Sequence, residues 1–197
     1  PGHVRYGETS PATRRGVTPI RSRVLPRANA MSPSSTIITT RDLPAPNPGL
    51  GQVLVRIAAC AVCRTDLHVV DGELPEPKLP LIPGWDVSGV VAEVGAGVSQ
   101  FKKGDEVFAM ADPTRDGAYA DYIAIHATAL GLKPKSLHHV SAAATPVSVL
   151  TAWRSLFDLG HLESGQRILI HGGSGGVGHF AVQLAKWKGA YVVATAS

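Results

Sequence analysis

The chain has 197 residues, 44% of them hydrophobic and 6% aromatic, with two cysteines and a formal net charge of +4. That length fits one domain or two small ones, no run of about 18 apolar residues is present to cross a membrane, and two cysteines cannot build a disulfide framework, which suits a reducing, cytoplasmic setting. Residues 1–30 carry Arg5, Arg14, Arg15, Arg21, Arg23 and Arg27 against Glu8 alone. The basic surplus therefore lies wholly in that lead, and the rest offers no basic surface for nucleic acid.

An arginine-rich, acid-poor lead reads in two ways. One is an organelle-targeting segment; the other is a disordered or non-native stretch over 1–30, ahead of a start at Met31. Pro44, Pro46 and Pro48 with Gly49 and Gly51 then make a stiff, turn-rich approach. "QVLVRIA" alternates as a strand, Val53, Val55 and Ile57 on one face and Leu54 and Arg56 on the other. Short strands are predicted over Val87–Gly95, Asp105–Met110, Tyr119–Ile125 and Ala129–Lys133, separated by Gly, Pro or Asp. This spacing predicts a compact barrel or sandwich over residues 31–145.

The texture changes at Ser136. "SLHHVSAAAT" and "VSVLTAWRSLFDLG" predict two helices split by Pro146. A strand Arg167–His171, a glycine loop, a helix and a strand "YVVATA" follow as a βαβ unit, with Val177, Phe180, Ala181 and Leu184 on one apolar stripe of the helix. Residues 146–197 are thus predicted to open an α/β domain.

The loop "GGSGGVG" supplies Gly173-x-Gly175-x-x-Gly178 between strand and helix. Glycines there turn the chain tightly, admit a pyrophosphate to the backbone and let helix and strand touch, while the helix N-terminus faces the phosphates. The same letters contain a rival: Gly172-Gly173-Ser174-Gly175-Gly176 fits the G-x-S-x-G elbow of serine hydrolases, with Ser174 as nucleophile. Gly178, which an elbow does not need, favours the dinucleotide.

Six segments in order carry a wider resemblance: "DLPAPNPGLGQVLVR", "CAVCRTDLHVVDGELPEPKLPLIPG", "GVVAEVGAGVSQFKKGDEVFA", "GAYADYIAI", "SAAATPVSVLTAW" and "GQRILIHGGSGGVGHFAVQLAKWKGA". Over roughly Arg41 to Ser197 the chain resembles the medium-chain dehydrogenase/reductase superfamily. The resemblance implies an α/β protein, a GroES-like β-rich domain followed by the truncated start of a doubly wound Rossmann domain. Cys60 to Leu81 is similar to the zinc alcohol dehydrogenase branch, and "PGWDVSG" onward to the zinc-free quinone oxidoreductase branch. The junction reads equally as a natural intermediate or as a chimera.

Catalytic zinc needs three protein ligands and an open position. By resemblance the ligand positions are Cys63, Trp85 and about Val147, so two of the three carry no ligand atom and no metal is expected. Cys60-x-x-Cys63 then reads as buried structural thiols or as a redox pair. Thr65 and His68 match positions that relay protons in the zinc branch; without metal they bond a substrate carbonyl or water, or cap the turn.

The expectation is an NADPH-dependent oxidoreductase that reduces quinones or α,β-unsaturated carbonyls by metal-free hydride transfer. Thr65 and His68 are its catalytic candidates. Gly173, Ser174, Gly175, Gly176, Val177 and Gly178 are expected at the pyrophosphate, Thr151 near the nicotinamide and Ser197 at the adenosine ribose. Alternatives are a zinc-dependent alcohol dehydrogenase, a serine hydrolase using Ser174, and a nucleotide-binding relative without turnover. The partner is a small-molecule substrate, with no nucleic acid or membrane, and the full-length protein is expected to be a homodimer. Because a doubly wound sheet has about six strands, the 197 residues alone are expected to be inactive.

Overall fold

A computed structural model of the protein describes residues 19–24, 39–71, 73 and 81–196. The rest of the lead and Ser197, the expected ribose contact, lie outside the described residues. Strand β1 (Pro19–Val24) pairs antiparallel with β2 (Thr39–Pro44), Pro19 opposite Pro44 and Val24 opposite Thr39. This pairing crosses the boundary expected at residue 30. That expectation rested on charge, which does not oppose strand pairing.

The centre is a five-stranded antiparallel sheet in the order β6-β3-β4-β5-β7. Its strands are β3 (Gln52–Ala61), β4 (Asp86–Val94), β5 (Glu106–Met110), β6 (Tyr122–His126) and β7 (Leu130–Leu132). Val53, Val55, Val87, Val91, Val107, Ile123 and Ile125 bury one face around Trp85 and Leu81. Each such side chain contributes about 1.5–3 kcal/mol on burial. Two register shifts interrupt the β3–β4 pairing, the first by an extra residue on β4, Ala92, and the second by one on β3, Ala58. Leu54, which alternates to the face opposite Val53 and Val55, is buried as well, so both faces of β3 are covered at that point.

The strand expected from Tyr119 begins only at Tyr122. Residues 117–119 are diverted to a different partner: Gly117, Ala118 and Tyr119 N–H donate to the carbonyls of Ile82, Gly84 and Pro83 at 2.6, 2.7 and 2.9 Å. The helix expected over 136–145 shrinks to α2 (His139–Ala143), since Leu137 N–H closes a turn on Pro134 and His138 is extended.

Between β3 and β4 lies α1 (Arg64–Val70). Beyond α2, helix α3 (Pro146–Trp153) starts on its proline, where the missing N–H costs nothing. It runs on as a π-helical stretch, Arg154–Leu159. Strand β8 (Arg167–Ile170) and strand β9 (Tyr191–Ala194) are parallel and joined by α4 (Gly176–Trp187). Ala152, Leu156, Leu162, Ile170, Ala181 and Ala185 form a second core. The buried line of α4 is Gly178, Ala181 and Ala185, flanked by Phe180 and Leu184; Val177, expected on it, is exposed. Close backbone approach at Gly178 rotates the contact line one position on. The other face of the β8–β9 pair is bare, with Leu169 56%, Tyr191 61% and Val193 45% exposed.

Candidate functional site

Cys63 is the N-cap of α1, and Asp66 three residues on is buried. One Asp66 oxygen accepts the Cys63 N–H at 2.8 Å and the other the Gly84 N–H at 3.0 Å. A single carboxylate thus ties the helix start to the Pro83–Gly84 turn. Gly84 has φ +93, and a Cβ there would lie 2.6 Å from the Tyr119 ring and 2.9 Å from Cys60 Sγ. Only glycine fits both the conformation and the space.

Burial, with Asp66 and Asp86 adding their charge, pushes the Cys60 thiol up to about 12. A thiol so raised stays protonated at neutral pH, in keeping with a buried structural thiol. Burial also raises the Tyr119 phenol above its ordinary range, with the Asp66 carboxylate adding to the effect. Its hydroxyl and the Trp85 indole N–H are buried without a hydrogen-bond partner of good geometry.

Hydrogen bonds tie the neighbourhoods of the positions matched to metal ligands, Cys63 to Gly84 through Asp66 and Asp86 to Val147. Asp86, next to Trp85, accepts the Val147 N–H at 2.7 Å through Oδ1 and so caps the first turn of α3. Trp85 is packed in the sheet core rather than offering an imidazole. Among the described residues no three His, Cys, Asp or Glu side chains gather as a metal site.

Thr65 is half-buried in the first turn of α1 and His68 lies in its last turn. His68 Nδ1 pairs with Glu73. Neither caps the turn, since Cys63 and Asp66 do.

The glycine loop lies between β8 and α4, with Gly175 as N-cap. The first intrahelical bond runs from His179 N–H to Gly175 O at 3.0 Å, so the N–H groups of Gly176, Val177 and Gly178 have no partner within the helix. A Cβ at Gly178 would lie 2.0 Å from Gly172 O, and one at Gly173 2.9 Å from Ala194 Cβ. The loop is pressed onto the sheet inside and Ser174 to Val177 are exposed outside. These residues fit a dinucleotide pyrophosphate, which would lie over exposed N–H groups at the positive end of α4. Thr151, on α3, is also exposed. Ser148 of the same helix approaches the loop, its Oγ 3.2 Å from where a Gly176 Cβ would lie.

The elbow reading finds less support. Ser174 is not in the left-handed region; among the described residues His161 is the one non-glycine there. The flanking imidazoles are turned elsewhere, His171 Nδ1 to Thr195 Oγ1 and His179 Nδ1 to Gly176 O.

Three residues of this region escaped the sequence reading. Asp66 had a signal, the capping spacing Cys63-x-x-Asp66. Tyr119 and Thr195 had none, because their partners are remote in sequence.

Comparison with known proteins bears on the fold. Residues 49–135 match the alcohol dehydrogenase GroES-like domain. The chain belongs to the medium-chain dehydrogenase/reductase superfamily, with a GroES-like antiparallel domain followed by a short parallel βαβ segment. It is 43% identical over 139 residues to the human NAD(P)H oxidoreductase RTN4IP1, mitochondrial, covering 68% of this chain and 34% of that one. It is 37% identical over 156 residues to quinone oxidoreductase from Pongo abelii, covering 79% of this chain and 47% of that one. An alcohol dehydrogenase superfamily protein from Novosphingobium aromaticivorans superposes with a TM-score of 0.84 at 38% identity, over 91% of this chain and 54% of that one. The chain therefore spans a third to a half of the length of these curated relatives.

Proposed function

We propose that the chain is part of an NADPH-dependent oxidoreductase that reduces quinones or other α,β-unsaturated carbonyls in the cytoplasm. The observation that carries this is the glycine loop, closed against the sheet at Gly178 and open at Ser174 to Val177. The quinone oxidoreductase relative supports the substrate class, because a quinone is itself a conjugated enone. When bound, NADPH supplies the hydride.

The chain's own residues bind and orient. Gly173, Ser174, Gly175, Gly176, Val177 and Gly178 hold the pyrophosphate, and Thr151 stands beside the nicotinamide. Thr65 and His68, at the start and end of α1, are proposed to donate hydrogen bonds to the substrate carbonyl. Protein dipoles, with no metal, stabilise the oxyanion. The bare Leu169, Tyr191 and Val193 face needs cover, so turnover is proposed to require sheet strands beyond these two.

NADPH is preferred over NADH because position 197, which counting from Gly178 matches to the ribose contact, is serine rather than an acid. A carboxylate about 4 Å from a 2′-phosphate costs roughly 4 kcal/mol per unit charge at an effective dielectric near 20. Salt screening leaves an expected preference of about tenfold. Titration of intrinsic fluorescence with each cofactor measures it, and Ser197→Asp should reverse it. Equal affinities for the two would overturn the assignment.

A further inference from the structure

Beyond the glycines, one residue just past β9 makes four contacts, one to the end of β8 and three to the loop. Thr195 N–H donates to Ile170 O at 3.0 Å, and Thr195 O accepts the Gly173 N–H at 2.7 Å. Its Oγ1 accepts the Gly172 N–H at 3.2 Å and lies 3.2 Å from His171 Nδ1. The backbone pair continues the parallel ladder past β8. The hydroxyl does something the ladder cannot: it takes up the amide of Gly172, which sits at φ +68 where the chain leaves the sheet. The oxygen accepts from that amide and its own proton is then available to an unprotonated His171 Nδ1, which leaves the neutral ring with its N–H on Nε2.

Gly172 is also the residue the rest of the loop is built on. Its carbonyl accepts the Gly175 N–H at 2.9 Å, and this same oxygen abuts Gly178. Fixing the Gly172 peptide therefore fixes the N-cap residue of α4 and the face presented to phosphate. We propose that Thr195 is a positioning residue of the dinucleotide loop, acting through its hydroxyl on Gly172 and His171. The proposal rests on the dinucleotide reading above.

Valine at this position keeps the β-branched shape and the backbone bonds and deletes only the hydroxyl. Serine restores the hydroxyl. Two measurements separate the outcomes: hydrogen exchange and the His171 ring nitrogen shifts by NMR without cofactor, and NADPH affinity by fluorescence. Thr195→Val is expected to speed exchange at Gly172, mix the His171 tautomers and weaken NADPH roughly three- to tenfold, the worth of about one hydrogen bond. Thr195→Ser is expected to restore all three. Unchanged Gly172 exchange in the valine variant, or a serine variant no better than valine, would overturn the proposal. If Thr195→Val gives the Gly172 and His171 effects but the wild-type protein takes up no NADPH, the loop contact stands, while the dinucleotide reading and the cofactor role fall together.

Discussion

A Gly178→Ala substitution is expected to weaken NADPH binding by about 100-fold or more and to loosen the α/β segment. The added Cβ would lie 2.0 Å from Gly172 O, 2.8 Å from Gly172 C and 3.0 Å from Gly173 Cα. All three are backbone atoms, so no rotamer change can relieve the contact. The helix start must lift off the strand by roughly 1 Å, and overpacking of this kind costs about 1–3 kcal/mol. Stability and loop geometry suffer together, because the atom displaced belongs to Gly172, which also receives the Gly175 N–H. Urea unfolding and cofactor titration read the two effects. An alanine variant that binds NADPH within threefold of wild type would show that the loop does not depend on this contact.

The second large effect is one of pH. The Asp86 carboxyl is pushed from its ordinary value of 3.8 up to about 6, chiefly by burial, opposed by the Val147 N–H and reinforced by the Asp66 charge. The folded chain thus keeps a proton that the unfolded chain has released. Stability from this group is fully present below about 4, falls as pH rises to about 6, and stays low above that. Each pKa unit carries about 1.4 kcal/mol, and a discounted cost at neutral pH is roughly 2 kcal/mol. Asp86→Asn keeps an Oδ1 acceptor for Val147 and removes the charge. It should raise stability at pH 7.5 by about 1–2 kcal/mol and flatten the difference from wild type below pH 4. Asp86→Ala, which also loses the cap, should be less stable than the asparagine variant by about 1 kcal/mol. Thermal unfolding from pH 4 to 8 decides; an asparagine variant with the wild-type pH profile would place the titration elsewhere.

Much of this was legible in the residues. Alternation marked β3 and β4, and the Gly-x-Gly-x-x-Gly spacing marked the loop with its strand and helix. What escaped was set by partners remote in sequence. Tyr119 looks like strand, yet its N–H goes to Pro83, 36 positions back. Leu54 was assigned to the face opposite Val53 and Val55; that this face is covered too was not legible. Val177 fits a helical stripe by periodicity, but the closeness of Gly178 to Gly172 decides which side of α4 meets the sheet. Asp86 was legible as a carboxylate after Trp85; that it caps α3, 61 residues on, was not.

The central claim is metal-free hydride delivery from NADPH to a quinone-like acceptor. Its most direct measurement is quinone-dependent NADPH oxidation, followed at 340 nm with excess chelator, by a chain carried on to the length of its curated relatives. The account predicts turnover that chelator does not diminish, no stoichiometric zinc by elemental analysis, and turnover by the 197 residues alone below about a hundredth of that rate. Activity that tracks one bound zinc per chain, and is lost with it, would contradict the account.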